Sequence, residues 1–209
     1  DKNEVYEVNP DEDQLYLIGT SEVPLIYYHS DQILSEKDLT KKYVSITPCF
    51  RRESGSYGKD TKGLFRVHQF YKVEMVVFSK PADSWKIHDE LLKNEEDILQ
   101  SLGLHYQIVN VCSGDLGFPA AKKYDCEGWF PGQAKYRELS STSNTTDYQA
   151  RRSNIKYKTA DGKKEFVHTL NGTVITDRWM LAIIENYQDK DGGVTVPEVL
   201  RKYAGFDKI

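Results

Sequence analysis

The chemistry that this sequence could perform is concentrated in charged and aromatic residues at strand-like spacing in its first half. Arg51 and Glu53 are two residues apart and therefore share one face of a strand, as do Phe70 and Glu74 further along. Such a face suits a ligand with an anionic group for Arg51, a ring for Phe70, and an ammonium or hydroxyl group for Glu22 and Glu74. A solvated sheet face with cross-strand ion pairs has the same pattern and is by itself commoner, so both interpretations stay open.

The strand that must carry Phe70 is predicted over residues 65–78, because apolar and polar residues alternate there with period two. A preceding strand over residues 44–51 and a loop over residues 54–63 complete a long antiparallel hairpin. The polar face of the second strand is predicted to face water or to form the floor of a binding site. Its residues are Arg66, His68, Phe70, Lys72 and Glu74.

The other elements predict an α+β fold with a mostly antiparallel sheet flanked by helices, because strands cluster in hairpins without regular strand–helix alternation. Further strands are predicted over residues 15–18, 104–111, 124–130, 137–141 and 164–170. Helices are predicted over residues 20–34, 82–102, 175–188 and 196–203. Residues 1–14 are predicted to be an acidic lead-in segment, and residues 15–209 the domain itself.

Composition narrows the class of protein. The chain has 209 residues, 39% of them hydrophobic and 12% aromatic, so it can bury a sizeable core and is not a disordered chain. Its formal net charge of −4 provides no global basic field, so a nucleic-acid partner needs a local patch. Three scattered cysteines predict reduced thiols in the cytoplasm. No apolar run predicts a membrane span, and the missing initial Met predicts an excised piece of a longer protein.

Several common catalytic motifs are absent from the sequence. It contains no G-x-x-x-x-G-K-[ST], no G-x-G-x-x-G after a strand, no H-E-x-x-H and no G-x-S-x-G. Cys49 has no His or Asp arrangement in the sequence to activate it, so it is predicted to be a packed thiol. P-loop, zinc-peptidase and serine-hydrolase chemistry are therefore disfavoured.

The residues around Arg51 belong to a longer pattern. Residues 48–53 read PCFRRE and residues 63–70 read GLFRVHQF, which resembles motif 2 of the class II aminoacyl-tRNA synthetases, and most closely that of the seryl-tRNA synthetases. Other blocks agree with this family in the same order. They are TSEVPL at 20–25, GDLGF at 114–118, WFPGQ at 129–133, RELSSTSN at 137–144, DYQARR at 147–152, HTLNGT at 168–173, ENYQ at 185–188 and VTVPEVL at 194–200.

The resemblance implies a synthetase-like catalytic core that activates L-serine with ATP to seryl-adenylate and transfers the seryl group to the 3′ end of tRNA(Ser). It implies that Arg51 and Arg178 are catalytic, with Arg51 holding the α-phosphate and the serine carboxylate. Phe70 is expected to stack on one face of the adenine, and Arg178 to cover the other face. The residues implied for ATP are Arg51, Arg52, Glu53, Val67, Phe70, Glu138, Leu139, Ser140, Ser141 and Arg178.

The resemblance also implies a metal site and a serine pocket. Glu138 and Ser141 match the family's Mg²⁺ ligands, and both offer the hard oxygen donors that this ion prefers. Glu74 and Thr173 are expected at the hydroxyl of the substrate, because a pocket built to bond a hydroxyl rejects alanine. The residues implied for serine are Thr20, Ser21, Glu22, Arg51, Glu74, Asn171 and Thr173.

Two groups of basic residues are candidates for contact with the tRNA acceptor end. The loop over residues 54–62, with Lys59 and Lys62, is predicted either to receive the acceptor stem or to be an ordinary hairpin tip. The second group, for which a solvated face is favoured over a tRNA-facing patch, comprises Arg151, Arg152, Lys156 and Lys158.

The pattern departs from the family in two respects. The family's N-terminal helical arm and motif 1 are not found, so the homodimer that the full-length family forms is open for this chain. In motif 3, Asp177 directly precedes Arg178, which is expected to tilt that arginine and to weaken ATP binding through its charge. Two alternatives therefore stay beside serine–tRNA ligation: an adenylating enzyme that loads a carrier protein, and a non-catalytic synthetase paralogue.

Overall fold

The computed structural model describes residues 2–54 and 63–209. Its strands are β1 (Glu7–Val8), β2 (Leu15–Tyr16), β3 (Ile33–Ser35), β4 (Lys41–Phe50), β5 (Gln69–Ser79), β6 (Tyr106–Asn110), β7 (Lys122–Phe130), β8 (Lys135–Asn144), β9 (Lys156–Lys158), β10 (Lys164–Phe166) and β11 (His168–Thr176). Its α-helices are α1 (Glu22–Tyr27), α2 (Ser84–Ser101), α3 (Tyr148–Arg152), α4 (Asp177–Tyr187) and α5 (Glu198–Ala204). Short 3₁₀ helices cover Lys2–Glu4, Glu36–Asp38, Pro81–Asp83 and Pro131–Gln133.

A six-stranded sheet forms the centre of the structure, with strand order β4-β5-β11-β8-β7-β6. Every neighbouring pair in it is antiparallel. A smaller sheet of order β10-β9-β3 contains one parallel pair, β3 with β9. The prediction of an α+β fold with a mostly antiparallel sheet flanked by helices is therefore confirmed.

The two faces of β5 pack against different neighbours, as the period-two pattern predicts. Met75 and Val77 lie in an apolar cluster with Ile87 and Leu91 of α2, which therefore covers one face of the sheet. These two helix residues are four apart and so lie on the same side of the helix. The alternate residues of β5 that begin with Phe70 face the opposite side, where Phe70 and Lys72 line a cleft. Further along the same face, Val76 and Phe78 are buried in a second apolar cluster.

Three predicted elements differ from the structure by more than a small shift of their bounds. The strand expected from residue 65 begins at Gln69, so the four residues before it form a turn segment. The helix expected over residues 20–34 ends at Tyr27, because the chain turns through Asp31 at φ +60° and then pairs as β3 with β9. The strand expected over residues 164–170 is divided into β10 and β11.

The remaining helix predictions hold with small shifts. The helix expected over residues 82–102 is α2, and Gly103 at φ +65° follows its end, where a residue with a side chain would be strained. The helix expected from residue 175 begins at Asp177, since Thr176 still pairs with Lys72 in the sheet. Among the described residues, no helix is long and apolar enough to cross a membrane.

The division of the chain at residue 14 stays a prediction. Strands β1 and β2 lie on either side of it and pair with each other, Glu7 opposite Tyr16. Lys59 and Lys62 of the predicted acceptor loop lie outside the described residues.

Candidate active site

A cleft of about 380 Å³ lies on the face of the six-stranded sheet that α2 does not cover, and this volume is in the range of small-molecule sites. Ten of the sixteen predicted site residues line it. They are Arg51, Glu53, Val67, Phe70, Glu138, Leu139, Ser140, Ser141, Thr173 and Arg178. The polar face of β5 is therefore the floor of a cleft, and the alternative of an open, solvated sheet face does not describe it.

Arg51 directly follows the last residue of β4. It is held by one hydrogen bond from its main chain and one from its side chain. Its N–H donates to the carbonyl of His68 at 3.0 Å, and its Nε donates to the carbonyl of Gly19 at 3.1 Å. The guanidinium carbon lies 5.3 Å from the centroid of the Phe70 ring. Within the described part of the chain, its two Nη groups have no protein acceptor, so they can bind an anion in the cleft.

Arg178 enters the cleft from the first turn of α4. Its Nε donates to the carbonyl of Phe65 at 3.2 Å, and its Nη1 donates to the carbonyl of Glu138 at 3.3 Å. The carboxylate of Asp177 accepts the N–H of Tyr71 at 3.1 Å, which holds it against β5. The effect of Asp177 on ATP binding stays a prediction. The Nη1 of Arg178 also lies 3.8 Å from the carboxylate of Glu138. Two main-chain carbonyls and this carboxylate therefore hold the guanidinium in the cleft.

Glu138 and Ser141 reach the same cleft because β8 is irregular between them. Glu138 pairs with Glu127, and Ser140 pairs with Cys126, so Leu139 is an extra residue on its strand. In a regular strand, residues three apart face opposite sides, whereas a β-bulge between them brings both to one side. Both residues line the cleft, so the donor set predicted for Mg²⁺ is brought together.

Leu139 and Ser140, which lie between Glu138 and Ser141, line the cleft through their main chain. The side chain of Leu139 is buried in the apolar cluster that contains Trp179 of α4. The hydroxyl of Ser140 donates to Glu95 of α2 at 3.1 Å, beneath the sheet. Any contact of this segment with a ligand is therefore made by its N–H and C=O groups.

A buried ion pair lies at the end of the cleft formed by β5 and β11. The Nζ of Lys72 is 2.5 Å from Oε2 of Glu74 and donates to Oγ1 of Thr20 at 3.2 Å. The hydroxyl of Thr173 donates to the same carboxylate at 3.3 Å. Burial raises the pKa of Glu74, and Lys72 opposes this rise. The pair can recognise a small polar ligand that carries a hydroxyl or a charge.

Lys72 was placed on the polar face of β5 from the sequence, but it was given no role in a site. It lines the cleft and contacts two residues of the predicted serine pocket. Its position between Phe70 and Glu74 in the alternating pattern was the signal available, since all three must share one face of β5.

Glu22 belongs to a neighbouring network above the small helix α3. Its Oε1 accepts from Nε2 of Gln149 at 2.6 Å and from Nδ2 of Asn171 at 2.9 Å. Gln149 was likewise given no role in a site by the sequence reasoning. The network joins α1, α3 and β11, and so fixes Glu22 relative to β11, which carries Thr173.

Six predicted residues are not among those that line the cleft. They are Thr20, Ser21, Glu22, Arg52, Glu74 and Asn171. Thr20 and Glu74 are joined to the cleft through Lys72. Ser21 is buried and accepts a hydrogen bond from Ser45, whereas Arg52 is exposed, and its N–H donates to the carbonyl of Glu4. The structure thus does not bring Ser21 or Arg52 to the cleft.

The other residues noted in the sequence have ordinary surroundings. Cys49 is fully buried, as predicted for a packed thiol. Arg151 pairs with Asp147 at 3.5 Å, and the guanidinium of Arg152 lies 3.4 Å from the ring centroid of Tyr148. A tRNA-facing role for this basic group stays a prediction.

Comparison with known proteins places this geometry in a family. Residues 6–187 match the family model of the tRNA synthetase class II core domain (G, H, P, S and T). The serine–tRNA ligase of Pyrococcus horikoshii is 54% identical over 207 residues, which are 98% of this chain and 45% of that protein. The chain spans about half the length of the curated relatives it matches.

Solved structures agree with this assignment. The crystal structure of seryl-tRNA synthetase from Pyrococcus horikoshii complexed with ATP matches with a TM-score of 0.95 and 51% identity, over all of this chain and 46% of that one. The cytoplasmic serine–tRNA ligase of Naegleria fowleri in complex with AMP matches with a TM-score of 0.93 and 46% identity, over all of this chain and 49% of that one. This chain therefore belongs to the class II tRNA synthetase core family, and within it is similar to the seryl-tRNA synthetases.

Proposed function

We propose that this chain carries the site that activates L-serine with ATP to seryl-adenylate, and that the protein transfers the seryl group to the 3′ end of tRNA(Ser). The observation that carries this proposal is the single cleft shared by Arg51, Phe70, Glu138 and Arg178 beside the buried pair of Lys72 with Glu74. The curated relatives named serine–tRNA ligase support the same assignment.

Activation requires that two anions be brought together. An oxygen of the serine carboxylate attacks the α-phosphorus of ATP, and pyrophosphate leaves with the electrons of the broken P–O bond. The carboxylate is already ionised, so no side chain has to remove a proton. Arg51 offers its free Nη groups to the carboxylate and the α-phosphate, and Arg178 offers positive charge to the phosphates. The protein therefore acts by positioning and by electrostatic stabilisation.

Phe70 is proposed to hold the adenine ring. It lines the cleft beside Arg51, and its ring offers a flat apolar surface on which a base can stack. Glu53 is held by an ion pair with Arg66 at 2.5 Å, which places a carboxylate at the same end of the cleft. Such an oxygen can accept a hydrogen bond from the amino group of adenine. Val67 lines this part of the cleft as well.

The residues present fit a Mg²⁺ ion. The bulge at Leu139 brings one carboxylate, from Glu138, and one hydroxyl, from Ser141, to one side of β8. Mg²⁺ is commonly held by one or two carboxylates together with substrate phosphates, so this donor set is sufficient. When bound, the ion would neutralise charge on the phosphates. Lys123 lies 3.8 Å from Glu138 and balances part of its charge.

Selectivity for serine is proposed to come from Glu74 and Thr173. Both are buried and bond to each other, so the substrate hydroxyl would join an existing network. Alanine would leave that network incomplete, and an unpaired buried polar group is penalised by about 1–3 kcal/mol. Lys72 opposes the rise in the pKa of Glu74 that burial causes, and so favours the ionised, accepting form of this carboxyl.

We propose that the protein forms a homodimer through a row of exposed apolar residues on the edge strand of the large sheet. Val44 and Ile46 of β4 are 66% and 72% exposed, and they project from the same face of an edge strand. Exposed apolar rows of this kind mark protein interfaces. Sedimentation analysis of this chain beside a Val44→Lys, Ile46→Lys variant would test it, since only the native chain is expected to dimerise.

The activation step is tested by serine-dependent exchange between ATP and radiolabelled pyrophosphate. Exchange is expected with serine. It is expected to be much weaker with alanine or threonine and to be lost in the Arg51→Ala variant. Arg151→Ala is the matched control, because this exposed arginine lies outside the cleft and pairs only with Asp147 among the described residues. A folded chain that neither exchanges nor binds serine and ATP in calorimetry would refute the proposal. Aminoacylation of tRNA(Ser) tests the transfer step separately.

A further inference from the structure

Glu95 is a fully buried carboxyl group that the activation chemistry does not use. It projects from α2 into the layer beneath the six-stranded sheet, on the side away from the cleft. Its Oε2 accepts two hydrogen bonds, from the hydroxyl of Ser140 at 3.1 Å and from the thiol of Cys126 at 3.2 Å. One side chain of the helix thus bonds to two neighbouring strands, β8 and β7.

The third neighbouring strand makes room for this carboxyl. A Cβ built on Gly172 of β11 would lie 3.0 Å from Oε1 of Glu95, so the missing side chain leaves space for that oxygen. Oε1 itself has no hydrogen-bond partner in the part of the chain that the structure describes. A charge on this carboxyl would be buried with only the two donors on Oε2 to offset it, which favours the neutral form.

The electrostatics of the site agree with a neutral group. Burial raises the pKa of Glu95 from 4.5 to about 8, and the bonds from Cys126 and Ser140 oppose this only in part. At neutral pH the group is therefore a protonated acid that holds two strands by hydrogen bonds and adds no charge to the underside of a cleft that binds anions.

Glu95 lies beneath the part of β8 that lines the proposed nucleotide end of the cleft. Ser140 directly follows Leu139, the extra residue of the bulge, and directly precedes Ser141. Leu139 is also held, since a Cβ on Gly128 would lie 2.5 Å from its Cδ1. Two adjacent residues of the bulge are thus fixed: Leu139 by packing against Gly128, and Ser140 by its hydrogen bond to Glu95. Among the described residues, no hydrogen bond joins Glu95 to the network of Glu74, Lys72 and Thr173, and Glu74 acts on Glu95 only through its charge.

We propose that Glu95 is a positioning residue for the nucleotide: it holds Ser140 from beneath the sheet and so keeps the bulge that presents Glu138 and Ser141 to the phosphates. This inference rests on the proposed function, because the nucleotide is the ligand that the bulge serves. Removing a group that orients the ligands of a metal site typically costs 10–100-fold in metal affinity or activity.

The test compares ATP and serine affinities, by calorimetry, of the wild-type chain, Glu95→Leu and Glu95→Gln, with Glu96→Leu as the matched control. Glu96 is the next residue of α2, and its carboxylate accepts from Tyr106 of β6, at the far edge of the sheet. In Glu95→Leu, ATP affinity is expected to fall about tenfold, with serine affinity within about twofold. Glu95→Gln, which retains an acceptor and the shape of the neutral acid, and the control are expected to keep both affinities within about twofold of wild type.

A folded Glu95→Leu chain with unchanged ATP affinity, or with equal losses for ATP and serine, overturns the inference. If Glu95→Leu does not fold, Ser140→Ala removes the same contact from the strand side. The ATP affinity of Ser140→Ala is then expected to fall several-fold, with serine affinity retained. An unchanged ATP affinity in this variant overturns the inference. A wild-type chain that binds no ATP would refute the proposed function and this inference with it, and this outcome is distinct from a failure of the Glu95 variants alone.

Discussion

Replacing Glu95 by Gln tests whether the buried carboxyl is neutral in the folded protein. The ordinary pKa of this group is 4.5, and burial raises it to about 8 in the folded chain. Between these two values the unfolded chain loses the proton of Glu95 while the folded chain keeps it. The folded state therefore binds more protons, and the free energy of unfolding decreases as the pH rises.

The size of this effect follows from the two pKa values. Each pH unit between 4.5 and 8 lowers the free energy of unfolding by about 1.4 kcal/mol at 25 °C. The accumulated loss is about 3 kcal/mol at pH 7 and about 5 kcal/mol above pH 8. The stabilising effect of the proton is complete below pH 4.5 and is lost as the pH rises through the folded pKa. Gln cannot ionise in either state, so this loss is absent from the variant.

The assay is urea unfolding followed by tryptophan fluorescence at pH 5, 6, 7 and 8 for wild type and Glu95→Gln. The stability of the variant relative to wild type is expected to increase by about 1.4 kcal/mol for each pH unit. Comparing the two chains cancels the shared groups that do not interact with Glu95, and Glu74 and Asp125, which do interact, both raise its pKa in the folded chain. Leu91→Met is the control, because this buried residue of α2 does not titrate, and its difference from wild type is expected to be independent of pH. A constant difference for Glu95→Gln would refute the neutral buried acid.

Three further predictions concern the cleft. Lys72→Met leaves the carboxylate of Glu74 buried without its counter-ion, with only the hydroxyl of Thr173 donating to it. The free energy of unfolding at pH 7 is therefore expected to fall by about 3 kcal/mol in urea titrations, and the KM for serine to rise more than about tenfold; an unchanged KM would show that Lys72 has no part in the serine pocket. Gly128→Ala places a Cβ 2.5 Å from Cδ1 of Leu139, so stability is expected to fall by about 1–3 kcal/mol, and the KM for ATP to rise more than the KM for serine in pyrophosphate exchange; equal changes in both would argue against a role of the bulge in nucleotide binding. Thr173→Val removes the hydroxyl that bonds to Glu74, so the ratio of kcat/KM for serine over alanine is expected to fall by about tenfold or more; a retained ratio would mean that selectivity lies elsewhere.

Much of the fold was predictable because its signals are local. Alternation over β5 correctly separated Met75 and Val77, which pack on α2, from Phe70 on the cleft side. The pattern did not show where the strand begins. Residues 65–68 continue the alternation of the strand, but the first paired residue is Gln69. Pairing depends on a partner strand, and no property of a single segment reports it.

The candidate site was predictable as a set of residue types and only partly as an arrangement. Arg51, Phe70 and Arg178 were expected together and line one cleft. Arg52 was expected with them, but it is exposed and does not line the cleft, because successive residues of an extended chain point in opposite directions.

The sequence by itself determined the alternating face of β5, the class of fold and most of the residue types of the candidate site. Only the tertiary structure decided that Glu138 and Ser141 share one side of β8, since their spacing of three predicts opposite sides. It also decided that Lys72 neutralises Glu74 and that Glu95 is buried beneath Ser140. The reason is physical: a bulge and a buried polar contact form where strands and a helix that are distant in the chain pack together, so the segments taken singly do not contain them.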